Sequence, residues 1–262
     1  MDGLALKLVL TPALIGAVSM AGRRWGPGVS GWLVGFPFTS GPVVFFLALD
    51  HGLAFAAGAA VGSMTGAAAQ AAFCVFYGRL ARRGGALALL AGSVAFAAAT
   101  VLLQLTTLTI VPSLVLVIGV LLAALVLMPR VAGAARPATP PSWDIPARLV
   151  VTTAIVLLLT GVASALGPSL TGILATYPLY GAILAGFAHH LDGSGSAIRV
   201  LRGLLLGLFA FAGFFFVLAS LIERAGIAQA FAAAIATALV LQGGALWVMR
   251  RESGAPPRPA AR

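Results

Sequence analysis

The sequence is short of charge. Of its 262 residues only 8% are Asp, Glu, Lys or Arg, and acids are the scarcer kind, at 6 against 16 basic residues. Soluble domains carry about 25% charged residues, so a water-facing surface cannot be built from this chain. Intrinsic disorder fails for the same reason, because nothing would keep so much apolar surface apart in water. Cysteine is nearly missing too. Cys74 is the single thiol and cannot form an internal disulfide. No phosphate loop, dinucleotide fingerprint, metal-ligand spacing or nucleophile with a base is present. An enzyme is therefore not expected, and neither is a cofactor or a metal.

Apolar residues fill the space: 61% of the chain is hydrophobic. Lipid is the solvent this composition requires. The net charge of +10 does not indicate a nucleic-acid partner, because the basic residues sit at the ends of apolar runs and not on a polar face. Only Lys7 is lysine among the basic residues, which with the abundant Ala and Gly points to a GC-rich bacterial genome. Residues 1–20 read as an uncleaved first span, since the acidic Asp2 comes first and no cleavage site in a polar context follows.

A membrane helix needs about 20 apolar residues. Spans are predicted at Leu4–Gly22, Val29–Leu49, Leu53–Tyr77, Gly85–Leu105, Leu108–Met128, Leu149–Leu166, Ser169–His190, Gly203–Ile222 and Gly226–Met249. The charge-free run Gly85–Met128 would make about 66 Å of helix, so it is divided at Thr106, Thr107, Thr109 and Pro112. Basic residues test the count. Nine spans put Arg23, Arg24, Arg79, Arg82, Arg83, Arg130, Arg136, Arg148, Arg199, Arg202, Arg250, Arg251, Arg258 and Arg262 on one side, and only Lys7 and Arg224 on the other. Short cytoplasmic loops carry the Lys/Arg excess. The chain is thus expected in a bacterial inner membrane with its N-terminus outside and its C-terminus in the cytoplasm.

The two halves resemble each other. A shift of 141 pairs Gly26-Pro27 with Gly167-Pro168, Gly31 with Gly172, Leu33 with Leu174 and Pro37 with Pro178. Near the ends a shift of 138 pairs Leu103-Gln104 with Leu241-Gln242. The organisation expected is a four-span repeat over 1–107, a connector helix over 108–130 and a Pro-rich cytoplasmic linker over 131–147. A second four-span repeat over 148–249 and a disordered cytoplasmic tail over 250–262 follow. One connector helix turns the second repeat upside down. The fold class is all-α, a polytopic bundle with inverted repeats, an architecture common in secondary transporters.

Spans two and seven are both interrupted, at Gly35-Phe36-Pro37-Phe38-Thr39-Ser40-Gly41-Pro42 and Thr176-Tyr177-Pro178-Leu179-Tyr180-Gly181. Gly/Pro-broken spans at matching places in two halves are the best sequence pointer to a midplane site; ordinary proline kinks are the plainer reading. Pro37, Thr39, Ser40, Tyr177, Pro178 and Tyr180 are the candidate substrate-binding residues, with Gln104 and Gln242, which can equally be interhelical glue. Asp50 and His51 at one mouth, and His189, His190 and Asp192 at the other, are candidates for a proton relay or simply polar helix ends. Gly58, Gly62, Ser63 and Gly66 read as a close-packing face. Glu223 and Arg224 read as a solvated loop pair, and Trp25, Trp32, Trp143 and Trp247 as interfacial anchors.

The stretch Gly31-Trp32-Leu33-Val34-Gly35-Phe36-Pro37-Phe38-Thr39-Ser40, closed by Asp50-His51-Gly52, resembles the second helix of the small GlpM-like bacterial membrane proteins. That resemblance implies a four-span unit, duplicated here, and a link to exopolysaccharide production; no functional residue carries over. Two functions are expected from all this: a transporter or flippase for a small or amphipathic solute, or a non-transporting assembly subunit for envelope polysaccharide synthesis. The partners expected are the bilayer and a small-molecule or lipid substrate, with a homo-oligomer left open.

Overall fold

A computed structural model describes residues 3–38, 40–106, 108–131, 143–151, 153–154 and 177–254. Among them the chain is almost wholly helical and has no strand. The helices are α1 (Gly3–Trp25), α2 (Pro27–Val34), α3 (Ser40–His51), α4 (Leu53–Leu80), α5 (Gly85–Gln104), α6 (Ile110–Leu127), α7 (Leu179–Asp192) and α8 (Ser194–Gly254). A short helical stretch also covers residues 144–151. α8 is two helices joined at Gly226, whose φ of 79° breaks the spiral. Four stretches, Leu53–Arg83, Gly85–Gln104, Ile110–Leu127 and Ser194–Trp247, are long and apolar enough to cross a membrane. The outer faces of α5 and α6 expose Leu90, Val94, Leu102, Val115, Leu122 and Val126. A row of large apolar side chains facing outward suits lipid and not water.

Proline and glycine set the boundaries. Pro27 and Pro42 stand in the first turns of α2 and α3, where the missing N–H is not needed. Between them the predicted second span is broken into helices of 8 and 12 residues, about 12 and 18 Å long. Neither crosses a hydrocarbon core of about 30 Å alone.

The same local backbone recurs in the second half. Phe38 N–H bonds the carbonyl of Phe36 (2.8 Å) and Gly41 N–H that of Pro37 (3.0 Å); Leu179 N–H bonds that of Tyr177 (2.7 Å) and Ala182 N–H that of Pro178 (2.8 Å). Each partner is 141 residues on. Gly52 (φ 89°) precedes α4 and Gly193 (φ 85°) precedes α8, again 141 apart. Gly84 (φ 126°) opens α5 and Gly226 (φ 79°) opens the second arm of α8, 142 apart.

The connector α6 lies between the two halves. Its first residue, Ile110, shares a cleft with Ala54 at the start of α4 and with Glu223 near the end of the first arm of α8. At its other end Leu127 O accepts from Arg79 Nε near the end of α4 (3.2 Å), and Leu125 O accepts from Arg202 near the start of α8 (3.3 Å). α6 therefore runs parallel to α4 and antiparallel to the first arm of α8. It follows that α4 and that arm, 141 residues apart, run antiparallel to each other.

Several boundaries differ from the sequence reading. The helix that holds the predicted span Gly203–Ile222 starts at Ser194, so Arg199 and Arg202 are helical. From there Arg202 reaches the carboxyl end of α6, which draws it by its dipole and unsatisfied carbonyls. Glu223 and Arg224 also lie in helix and not in a loop. Helix continues to Gly254, through the first residues of the expected tail. It also begins again at Asp144, within the expected linker. Thr39, Thr107, the linker prolines 137, 140 and 141, most of the sixth span, the turn Gly167-Pro168 and the tail from residue 255 lie outside the described residues.

Candidate functional site

The broken span is built on glycine. α2 crosses the first arm of α8 at backbone distance, Gly31 and Gly35 against Gly203 and Gly207. A Cβ on Gly35 would stand 2.5 Å from the Gly207 Cα, and one on Gly207 would stand 2.5 Å from the Trp32 carbonyl oxygen. Cβ atoms on Gly31 and Gly203 would fall deeper still, onto the carbonyls of Val200 and Gly28. Small residues four apart let membrane helices meet this closely. The contact then continues across to the second arm of α8. Trp32 Nε1 donates to the Gln242 carbonyl (3.1 Å) and Gln242 Nε2 donates to the Trp32 carbonyl (2.7 Å). Gln242 is buried, and its Oε1 has no hydrogen-bond partner among the described residues.

Pro37 is buried where α2 ends, with Phe36 and Phe38 in ring contact around it (4.6 Å). Ser40 is half-buried and begins α3; Thr39 is outside the described residues. At the second break Pro178 is buried and Tyr177 is half-buried. The Tyr177 hydroxyl shares a hydrogen bond with Ser93 Oγ of α5 (2.9 Å), and its ring meets Phe73 and Phe96 edge-on. Tyr180 is half-buried and also engaged. Each break is therefore anchored on helices of the opposite half, α2 on α8 and Tyr177 on α4 and α5.

The two glutamines do not form a pair. Gln104 ends α5 and is exposed, whereas Gln242 is deep in the α2–α8 contact. The glycine turns explain this: they align α5 with the second arm of α8 at a shift of 142, not 138. The relay candidates divide similarly. Asp50 and His51 are exposed at the end of α3, with the His51 ring against Phe55 (5.0 Å). At the other end His190 and Asp192 are exposed, and His189 Nδ1 is 3.2 Å from the Tyr77 hydroxyl. Among the described residues no group of three metal-ligating side chains occurs.

Three features escaped the sequence reading. The Gly31-x-x-x-Gly35 and Gly203-x-x-x-Gly207 spacings are a helix-packing signal that was available. Trp32 is a tether and not only an interfacial ring. Asp144 is buried between Arg148 Nε (2.7 Å) and Arg23 Nη2 (3.3 Å), and it lies four residues before Arg148, a spacing that announces the pair.

The reciprocal Trp32–Gln242 pair has a measurable consequence. Trp32→Phe keeps an aromatic ring and removes the indole donor to the Gln242 main-chain carbonyl, which stays in its helix ladder. It is expected to lower stability by about 1 kcal/mol. Gln242→Leu orphans the Trp32 carbonyl and should cost at least as much. Thermal unfolding of the detergent-purified protein reads both; an unchanged midpoint in both variants would show that the tether carries no stability.

Compared with family models, with curated proteins and with solved structures, the chain matches none.

Proposed function

We propose that the chain is an inner-membrane transporter or flippase of nine spans, two inverted four-span repeats around α6, with its N-terminus outside and its C-terminus in the cytoplasm. Access to the solute alternates around the breaks at Phe36–Pro42 and Tyr177–Gly181. The observation that carries this reading is the antiparallel course of α4 and the first arm of α8, two helices that follow matching breaks and matching positive-φ glycines. Inverted halves meeting at broken helices are the recurrent architecture of alternating access, because two near-equivalent arrangements of one site can exchange. The breaks also free backbone groups that lipid cannot satisfy. No carboxylate lies mid-span, which favours a small or amphipathic solute over a strongly ionic one.

A second reading has its own support. Pro37 and Pro178 are buried, and the Tyr177 hydroxyl and the Gln242 Nε2 group bond inside the protein. A sealed interior suits a membrane assembly subunit, such as the resemblance to GlpM-like proteins implies for envelope polysaccharide synthesis.

Single cysteines at Phe36, Ser40, Tyr177 and Tyr180, in a Cys74→Ala background, separate the two. Transport predicts labelling by a water-soluble maleimide at mid-depth, from one side for the first pair and from the other for the second. Uniform protection at all four positions sinks transport in favour of the subunit. Reporter fusions that place both chain ends in one compartment would remove the inverted repeat itself.

A further inference from the structure

A cleft of about 270 Å³ opens at the end of the bundle where α4 begins, between α4, the start of α6 and the end of the first arm of α8. Its floor is mostly apolar, from Ala54, Ala57, Val61, Ile110 and Ala219, with the Ser220 hydroxyl beside them bonded to the Phe216 carbonyl of its own helix. Two opposite charges, Glu223 and Arg224, stand on its rim. We propose that this cleft binds the zwitterionic headgroup of an amphiphile, with the anion on Arg224, the ammonium on Glu223 and the tail along the open face of α4.

The charges carry the first part. Neighbours in a helix point about 100° apart and do not face each other. Among the described residues neither Glu223 nor Arg224 has an ion pair or hydrogen bond to another side chain. Both are exposed, so each is available to a ligand carrying both signs. Arg224 is also out of place by charge sorting. Arg79 and Arg202 cap the far end of α6, and Arg23 and Arg148 hold Asp144. Among the described residues Arg224 stands apart from these groups, on the cleft where α6 begins, where it can meet an anion.

The open face carries the second part. A Cβ on Gly58, in the cleft wall, or on Gly62, one turn further along α4, would meet nothing within 4 Å. Gly203 of α8, 141 residues after Gly62, is by contrast closed by α2. A smooth, uncovered strip therefore leads from the charged rim along an apolar helix. The volume falls just below the range of about 300–1,000 Å³ typical of drug-sized pockets, enough for a headgroup or a small solute.

This inference rests on the transport reading only in naming its substrate class, and a binding assay tests it alone. The full chain in maltoside micelles is titrated by calorimetry with short-chain phosphatidylethanolamine, short-chain phosphatidylglycerol and free phosphoethanolamine. Glu223→Gln is expected to weaken phosphatidylethanolamine binding about tenfold and leave phosphatidylglycerol unchanged, because only the ammonium contact is lost. Arg224→Gln is expected to weaken both lipids about tenfold. Free phosphoethanolamine should bind at least tenfold more weakly than the lipid; equal affinity overturns the assignment of the groove to a tail and makes the ligand a soluble zwitterion. Phosphatidylethanolamine affinity untouched by both variants overturns the site. If binding behaves as expected while all four mid-span cysteines stay protected, transport fails and the site stands.

Discussion

Gly31→Ala and Gly203→Ala are each expected to prevent α2 from docking on α8, at a cost of about 3 kcal/mol or more. Each adds one methyl, but that methyl would fall on a carbonyl of the facing helix, at Val200 and Gly28. Neither neighbour is the movable end of a side chain. Overpacking a well-filled interface costs about 1–3 kcal/mol where side chains can yield, and backbone yields less. The contrast within α4 makes the prediction sharp. Gly58→Ala and Gly62→Ala put the same methyl into open space inside a helix, so they should be neutral or gain up to about 1 kcal/mol from helix propensity. All four glycines occur in apolar helices four residues from another small residue, so sequence alone ranks them equally. The measurement is the fraction of monodisperse protein surviving a temperature ramp in detergent. Equal losses at Gly31 and Gly62 would contradict the packing described here.

Asp144→Ala is expected to have the second largest effect, about 2–3 kcal/mol. Asp144 is only 1% exposed and receives Arg148 at 2.7 Å and Arg23 at 3.3 Å. Removing one partner of a buried pair costs about 3–5 kcal/mol, because the other charge is left without compensation. The lower figure applies here since the Arg23 side chain keeps 34% exposure and can turn to water. Arg148 has less freedom at 12%, and its guanidinium sits 5.2 Å from the Phe187 ring centroid. The pair thus ties the end of α1, the helix at 144–151 and α7 together. Asp144→Ala combined with Arg148→Met should recover at least half of the loss, since no buried charge then remains. Thermal unfolding of the two variants decides it: a double variant no better than the single one would mean that the ion pair is not what the aspartate supplies.

Much of this architecture can be read from the residues. Charge scarcity and long apolar runs point to apolar helices of membrane-crossing length, and four such stretches are present among the described residues. Pro37 and Pro178 lie at the breaks, where a missing N–H and the clash of the ring weaken a helix, although α1 carries Pro12 in its interior without interruption. Gly-Pro and Pro positions recur at a 141-residue offset, and positive-φ glycines recur at 141 (Gly52, Gly193) and at 142 (Gly84, Gly226). Composition and spacing act locally, so local sequence specifies them.

What only the tertiary structure decided is which of several equivalent residues meets which. Gln104 and Gln242 look alike in sequence, yet one is exposed and the other is tied to Trp32. Gly62 and Gly203 look alike, yet only Gly203 lies under another backbone. Glu223 and Arg224 read as a loop pair until helix carries them to a cleft between three elements. These outcomes depend on helices from distant parts of the chain coming together, and in an apolar chain almost any pairing of helices satisfies the local pattern. Close backbone approach, admitted at some glycines and not at others, selects the arrangement that the pattern leaves open.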